Sequence, residues 1–267
     1  MLHKRYLQEK IQHDLLKKMV FIEEKDGYFF LSGRSEIVET RKRREVLSLN
    51  LWKKVRRYGF IFRMCPFLKM AAVCNSLAYY NADESSDIDI FVVAGKNRLF
   101  IVRTFLMFFL EIFGVRLSGK KEAGKFCLSF LVSEDATSLE QIQKKPYDIY
   151  LAYWTVTLKP FYGGCDDFLF QNSWIKNYFK QRIELDCSRL LRGQSFLRIF
   201  FEKIFSGRIG DFLERNLSYW QLKRALQKLN FLRRPHGVII QSNILKFHEN
   251  DRRVEFRERW ISRLQNF

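Results

Sequence analysis

The sequence predicts an α+β fold, in which a sheet is flanked by helices. Hydrophobic residues make up 47% and aromatic residues 16% of the 267-residue chain, which excludes intrinsic disorder and is sufficient for an apolar core. Short β-prone runs cluster between residues 68 and 132, and segments with helical periodicity precede and follow them. The order of helices, two strands, a helix, a strand and further helices describes an α+β core between helical segments.

The first segment, residues 1–47, is predicted to form a helix and a hairpin. Apolar residues recur at helical spacing over residues 4–19, and two β-prone runs then flank Asp26-Gly27, a dipeptide that favours a tight turn. A helix followed by a hairpin resembles the end of a winged helix, so the segment is either a partial winged-helix-like module or a simple cap. Residues 34–64 are predicted to form two successive helices that end before Pro66.

The second segment, residues 48–145, carries the predicted strands. The runs LKMAAVC, DIDIFVVA and KFCLSFLV, which begin at residues 68, 87 and 125, suit buried strands. An apolar run over residues 97–115 is interrupted by Arg103 and Glu111. Because a charge at the centre of a bilayer is costly, this run is interpreted as a helix that covers the sheet, and no membrane partner is expected.

The third segment, residues 146–267, is predicted to be helical. Helical patterns cover residues 147–159, 166–181, 194–205, 208–229 and 251–265. Two short β-prone runs, GVII and ILKF, lie between residues 231 and 248 and either pair with each other or simply connect helices.

Charge and cysteine content restrict the partners and the compartment. The chain has 47 Lys+Arg and 29 Asp+Glu, a formal net charge of +18, and residues 201–267 carry 14 basic and 7 acidic side chains. A basic excess favours a polyanion such as RNA, DNA or nucleotide phosphates, and solvated helix faces are the competing interpretation. Five cysteines without a C-x-x-C spacing, and an N terminus without a signal-peptide pattern, predict reduced thiols in the cytoplasm.

The pattern that indicates chemistry joins the first two strands. Asn75-Ser76 follow the first strand, ten residues intervene, and Asp87-Ile88-Asp89-Ile90 open the second. Carboxylates at i and i+2 of a strand project from the same face, and oxygen-seeking Mg²⁺ suits such a pair. A small turn that bears a serine can present backbone N–H groups and a hydroxyl to phosphates.

This spacing resembles that of the DNA polymerase β-like nucleotidyltransferase superfamily, in which an apolar residue, Gly, and Gly or Ser precede an Asp-x-Asp or Asp-x-Glu pair. The stretch SLAYYNADESSDIDIFVV is particularly similar to bacterial stand-alone nucleotidyltransferase-domain proteins, and the likeness covers about residues 50–135. The resemblance implies a mixed-sheet nucleotidyltransferase core and two Mg²⁺ ions bridged by Asp87 and Asp89. It further implies that a nucleoside triphosphate binds at Asn75, Ser76 and Ser86.

Two features depart from that family's pattern. Asn75 stands where the family has Gly, although Asn is among the residues that best tolerate positive φ. The third carboxylate, which the family places on a neighbouring strand, falls at Cys127 or Ser129 in this chain, and neither residue is acidic. The acidic residues nearest to that strand in sequence are Glu122, Glu134 and Asp135.

Two functional hypotheses follow. The first is a magnesium-dependent enzyme that transfers a nucleoside monophosphate from a nucleoside triphosphate to an acceptor hydroxyl and releases pyrophosphate. The second is a catalytically weak or inactive relative that binds nucleotide or nucleic acid. The acceptor stays open between RNA 3′ ends, a protein side chain and a small molecule, and the net charge of +18 favours RNA.

Four further features each have two interpretations. Tyr79 and Tyr80 either stack on a base or pack within the protein. The basic run at residues 41–44 either contacts a nucleic-acid backbone or forms a solvated helix face. The amphipathic stretch Ser195 to Phe205 either packs against the helix at 208–229 or lies on a membrane surface. His248 is either a loop residue or a catalytic base.

Overall fold

The α+β prediction is confirmed in the computed structural model. Its architecture is a six-stranded mixed sheet with helices on both faces, together with a three-stranded sheet formed near the N terminus. The structure describes residues 2–3, 21–117, 123–179, 184–191, 193, 195–230, 237–248 and 251–265. The helix predicted over residues 4–19 lies outside these described residues.

The larger sheet has the strand order β7-β4-β5-β6-β9-β8, in which β5 and β6 run parallel and the other neighbours are antiparallel. The strands are β1 (Leu2–His3), β2 (Ile22–Lys25), β3 (Tyr28–Leu31), β4 (Leu68–Val73), β5 (Ile88–Ala94), β6 (Phe126–Ser133), β7 (Lys159–Gly163), β8 (Val238–Ile240) and β9 (Ile244–Phe247). The helices are α1 (Ile37–Met64), α2 (Asn75–Ala78), α3 (Leu99–Ile112), α4 (Ile149–Val156), α5 (Asp166–Gln171), α6 (Phe196–Ile204), α7 (Gly207–Leu229) and α8 (Arg253–Gln265).

The hairpin predicted around Asp26-Gly27 is confirmed. Strands β2 and β3 pair antiparallel, and the φ angles of Asp26 and Gly27 are 54° and 79°. Two successive positive φ values are those of a type I′ turn, whose twist matches that of the flanking strands. Tyr28 and Phe30 of β3 are buried with Val38, so the hairpin packs on the beginning of α1.

One continuous helix replaces the two helices predicted over residues 34–64. The helix α1 is 28 residues long and contains Gly59, a residue type that is unfavourable inside a helix. Its role is packing, because a Cβ at Gly59 would lie 2.3 Å from Cδ1 of Leu191. The predicted end before Pro66 is confirmed, since Cys65 is extended with ψ of 119°.

The larger sheet separates two apolar cores. The core beneath α1 and α3 includes Phe62, Phe100 and Phe126. The core on the opposite face lies beneath α4 and α5 and includes Phe91 and Trp154. Two-sided burial explains why the central strands are apolar along most of their length.

The apolar run over residues 97–115 forms the helix α3 against the sheet, as predicted. Its two charges are paired, Glu111 with Arg116 and Arg103 with the side-chain oxygen of Gln221 in α7. The carboxylate of Glu214, also in α7, accepts hydrogen bonds from the first backbone N–H groups of α3, at 2.8 and 2.9 Å. Among the described residues, none of the helices combines the length and the apolar character needed to cross a membrane.

The helical prediction for residues 146–267 is incomplete, because three runs between its helices are strands. Strand β7 pairs with β4 at one side of the sheet, and β8 and β9 extend it beyond β6 at the other. The buried run KPFYG shows no alternation of apolar and polar residues, so its pattern does not distinguish a strand from a helix end. Of the two alternatives for GVII and ILKF, pairing is the one observed.

The amphipathic stretch at residues 195–205 is helical, as predicted. Its aromatic side chains contact α3, with ring centroids of Phe201 and Phe105 5.2 Å apart, rather than packing mainly on α7. Phe196 and Phe200 on the same helix remain 78% and 50% exposed. The helix is therefore only partly covered by the rest of the described chain.

Two of the five cysteines are not reduced thiols. Cys165 and Cys187 form a disulfide, contrary to the expectation from sequence. Cys65, Cys74 and Cys127 are free.

Candidate functional site

Asp89 lies near the start of the central strand β5, and Asp87 directly precedes that strand, as their spacing predicts. Ile88 and Ile90 are fully buried in the core beneath α1 and α3, so the alternate residues Asp87 and Asp89 project from the opposite face. One carboxylate oxygen of each aspartate and the sulfur of Cys127 all lie within 4.8 Å of one another. This group is able to hold a metal ion.

Cys127 and Ser129 of β6 occupy the position at which the resemblance predicts a third carboxylate. Cys127 is the register partner of Asp89, and the register shifts before Phe91, where β6 is irregular. The hydroxyl of Ser129 is buried without a hydrogen bond of standard geometry, yet it lies close enough to Asp89 to lower the pKa of that carboxyl. A thiol and a hydroxyl therefore lie where the resemblance predicts a third carboxylate.

Glu134, which directly follows β6 in sequence, does not supply that group. Glu134 lies past the far end of β6, where its carboxylate is 3.5 Å from Lys69 and accepts a hydrogen bond from the backbone of Lys96. Glu122 lies outside the described residues.

The electrostatics of the group disfavour a second negative charge. Burial and then the charge of Asp87 raise the pKa of Asp89 to about 6, although a hydrogen bond from Asn75 acts in the opposite direction. Burial and then the charges of Asp89 and Asp87 raise the pKa of the Cys127 thiol to about 12. A bound cation would relieve this repulsion, because it favours the charged form of each carboxyl.

Asn75 connects the turn after β4 to this group. Its φ of 56° lies in the left-handed region, where the family places Gly and where Asn is tolerated. Its amide nitrogen donates to Oδ2 of Asp89 at 2.8 Å, and its Oδ1 accepts from the indole N–H of Trp154 at 3.0 Å. A glycine has no side chain for these bonds, so Asn75 both forms the turn and orients Asp89.

Both predicted serines precede the aspartates in sequence. Ser76 is partly buried in α2, and its carbonyl accepts a hydrogen bond from the backbone of Asn81 at 2.9 Å, which closes the turn. The hydroxyl of Ser86 donates to Asp83 at 3.0 Å and shapes the loop that leads into Asp87. Nucleotide binding by either serine stays a prediction.

The tyrosines after Ser76 pack within the protein, which confirms one of their two interpretations. Tyr79 stacks on Tyr153 at a centroid distance of 5.7 Å, and Tyr80 stacks on Trp52 at 6.4 Å. The guanidinium of Arg41 donates to the backbone carbonyls of both tyrosines, at 2.8 and 2.6 Å. This arginine therefore anchors the turn from α1.

The rest of the basic run on α1 also approaches acidic residues of nearby turns. Arg43 lies 3.7 Å from Glu84, and Arg44 lies 4.0 Å from Asp83. Lys42 pairs with Asp26 in the β2–β3 turn at 2.7 Å. Since exposed pairs of this kind are weak, contact with a nucleic acid stays a prediction for this run.

A cavity of about 160 Å³ opens beside Asn75. Its walls come from β6, α4, β9 and the beginning of α8, and they include Phe130, Tyr150, Trp154, Lys246, His248 and Phe256. Burial and then the charge of Lys246 lower the pKa of His248 to about 4, so its imidazole is neutral at pH 7. The sequence did not predict this cavity, because its walls are far apart along the chain.

A buried ionic cluster adjoins the same cavity. Arg253, at the start of α8, pairs with Asp148 at 2.8 Å and with Asp251 at 2.7 Å. Lys246 lies 3.8 Å from Asp251 and donates to the backbone carbonyl of Gly237 at 2.9 Å. The cluster attaches α8 to the N-terminal cap of α4, since the carboxylate of Asp148 also accepts from the backbone of Leu151.

Comparison of the chain with protein-family models, curated proteins and solved structures finds no match. The resemblance to the nucleotidyltransferase superfamily therefore stays a prediction made from residues of this chain.

Proposed function

We propose that this protein is a metal-dependent nucleotidyltransferase. It transfers a nucleoside monophosphate from a nucleoside triphosphate to an acceptor hydroxyl, with two Mg²⁺ ions held by Asp87 and Asp89. The observation that carries the proposal is the group formed by these carboxylates and Cys127, whose ligand atoms lie within 4.8 Å on the face next to the Asn75-Ser76 turn. Carboxylate oxygens are the ligands that Mg²⁺ prefers.

The proposed reaction displaces pyrophosphate. The acceptor oxygen forms a bond to the α-phosphorus, the bond from that phosphorus to the bridging oxygen breaks, and the proton of the hydroxyl passes to solvent. Magnesium, when bound, polarises the hydroxyl and offsets phosphate charge. Ser76 and the backbone of its turn bind the triphosphate, and Asn75 holds Asp89 in position through the 2.8 Å hydrogen bond.

Cys127 limits the rate that we expect for this reaction. Its thiol, with a pKa raised to about 12, is no substitute for a carboxylate base at pH 7. Loss of a general base costs roughly 10²–10⁴-fold in rate, so slow turnover is expected. Cys127→Asp is expected to recover part of that rate, and an unchanged or lower rate in a folded variant would show that the missing base does not limit turnover.

The residues that surround Asp87 and Asp89 also favour a second candidate function. A site with a thiol and a buried hydroxyl in place of the third carboxylate suits a protein that binds nucleotide or nucleic acid without turnover. RNA is the polyanion that the net charge of +18 favours in both proposals.

The test is transfer of label from each labelled nucleoside triphosphate to total cell extract in the presence of Mg²⁺. Asp87→Asn and Asp89→Asn are expected to abolish labelling while the fold is kept, because an amide is nearly isosteric with a carboxylate but carries no charge. Asp167→Asn, an exposed residue in the first turn of α5, is the matched control and is expected to label normally.

Two outcomes would change the proposal. Labelling by Asp87→Asn at the wild-type rate would exclude catalysis at this site. A wild-type protein that binds triphosphate with Mg²⁺ but never labels an acceptor would favour the binding function.

A further inference from the structure

The cavity beside Asn75 exposes aromatic rings in a concave site. Tyr150 and Phe256 line it with nearly parallel rings, at a centroid distance of 6.0 Å and an interplanar angle of 7°. They are 45% and 43% exposed, whereas Trp154 in the same wall is 5% exposed. Partly exposed aromatic rings in a concave site suit the stacking of nucleic-acid bases.

Hydrogen bonds connect this cavity to the acidic group. The indole N–H of Trp154 donates to Asn75, and the amide of Asn75 donates to Asp89. Trp154 and Asn75 both line the cavity. A ligand seated against these two residues therefore lies one side chain away from the carboxylates.

The charges around the cavity are largely balanced within the protein. Arg253 faces Asp148 and Asp251, and Lys246 lies 3.8 Å from Asp251. His248, whose pKa is lowered to about 4, is neutral at pH 7. The cavity therefore suits a planar, uncharged ring with polar edges better than it suits a phosphate group.

From these observations we infer that the cavity is a nucleoside subsite that seats a purine or pyrimidine base beside the Asp87–Asp89 pair. The inference rests on the proposed function and adds the part of the site that recognises the substrate. Two sources share this chemistry, the base of the nucleoside triphosphate and the 3′-terminal base of an RNA acceptor. In either case the sugar lies toward Asn75 and the base contacts Phe256 and Tyr150.

The experiment measures equilibrium binding of three probes to the full chain with Mg²⁺. The probes are ATP, inorganic tripolyphosphate and a short single-stranded RNA oligonucleotide. Phe256→Ala is expected to weaken binding of ATP or of the oligonucleotide roughly 5- to 150-fold, the effect of removing one stacking ring, and to leave tripolyphosphate binding unchanged. A loss for ATP identifies the donor base, and a loss for the oligonucleotide identifies the acceptor base.

Two further variants keep the result interpretable. Phe256→Leu keeps an apolar side chain but removes the ring, so it is expected to show the same loss if Phe256→Ala is poorly folded. Phe170→Ala removes a ring that is 83% exposed on α5 and is expected to bind all three probes as the wild type does.

The subsite is overturned if folded Phe256→Leu binds ATP and the oligonucleotide as tightly as the wild type does. It is also overturned if the wild type shows no preference for ATP over tripolyphosphate and does not bind the oligonucleotide. Failure of the proposed function gives a different result, because Asp89→Asn would then bind ATP and tripolyphosphate with wild-type affinity.

Discussion

Two groups of charged side chains lie near the cavity and differ in how their charge is balanced. At the start of α8, hydrogen bonds from Arg253 overcome the effect of burial and lower the pKa of Asp251 to about 2. At the start of β5, burial and the charge of Asp87 raise the pKa of Asp89 to about 6. The fold therefore stabilises the anionic form of Asp251 and destabilises the anionic form of Asp89.

The difference separates a structural role from a functional one. A buried ion pair with all its partners fixes the position of an element, here α8 against the cap of α4. A carboxyl whose pKa is raised by burial and by a like charge is typical of a functional site. The contrast is measurable, because the two groups respond in opposite ways to mutation and to pH.

The largest effect on stability is expected from the ionic cluster of Arg253, Asp148 and Asp251. Arg253→Met leaves Asp148 and Asp251 buried without their guanidinium, and their side chains are only 1% and 4% exposed. The free energy of unfolding is expected to fall by about 3–5 kcal/mol, as measured by urea denaturation. Arg259→Met removes a 62% exposed arginine of the same helix and is the control, with little change expected. A comparable loss of unfolding free energy in both variants would show that the buried ionic cluster does not hold α8 in place.

The second effect concerns the pH dependence of the metal-free protein. Between pH 3.8, the ordinary pKa of an aspartate, and about 6, the folded chain holds a proton on Asp89 that the unfolded chain releases. Stability is therefore expected to fall by about 2–3 kcal/mol as the pH rises through this window. Asp251 contributes with the opposite sign, since its stabilisation is present above pH 3.8 and is lost as the pH falls towards 2. Denaturation at several pH values in EDTA tests this, and in Asp89→Asn the loss between pH 3.8 and 6 should disappear.

The third effect is on metal-dependent stability at neutral pH. Asp89→Asn removes one of two neighbouring carboxylates, so without Mg²⁺ the variant is expected to be as stable as the wild type or more stable by about 1–2 kcal/mol. Added Mg²⁺ is expected to raise the melting temperature of the wild type and to leave that of the variant unchanged. Thermal melts of both proteins across a Mg²⁺ series measure this, and equal shifts would place the metal elsewhere.

The smallest effect is expected at the residue that links the site to the cavity. Asn75→Gly loses two side-chain hydrogen bonds but relieves the cost of positive φ, so the net change in unfolding free energy is expected to be about 1 kcal/mol or less. Affinity for Mg²⁺ is expected to fall nonetheless, because Asp89 loses the group that orients it. Metal titration of Asn75→Gly and Asn75→Asp separates orientation from added charge, and unchanged Mg²⁺ affinity in Asn75→Gly would argue against the positioning role.

Local patterns were sufficient to predict the acidic half of this site. The spacing of Asp87 and Asp89 and the apolar runs around them identified β4, β5, β6 and α3, because each element is specified by its own neighbours in sequence. The positive φ of Asn75 was expected from the resemblance, which places Gly at this position.

The cavity half of the site could not be predicted in this way. Its walls bring together Asn75, Tyr150, Lys246 and Phe256. These residues are far apart along the chain, so no local stretch of the sequence contains a pattern that predicts their contact. Strand β7 was not predicted for a related reason, since a buried strand lacks the alternation that marks a half-exposed one. The sequence predicts two helices over residues 34–64, whereas α1 is a single helix from Ile37 to Met64.

The connectivity of the sheet has a consequence for biosynthesis. Strands β4, β5 and β6 leave the ribosome long before β9, which covers the outer edge of β6. Until Ile244–Phe247 arrives, the edge at Phe130 to Val132 presents unsatisfied backbone groups on an apolar strand, and such edges favour aggregation. The nascent chain therefore has its aspartate pair in place before its largest sheet is protected. Chains interrupted between β6 and β9 are expected to require chaperones to remain dispersed, even though their acidic motif is intact.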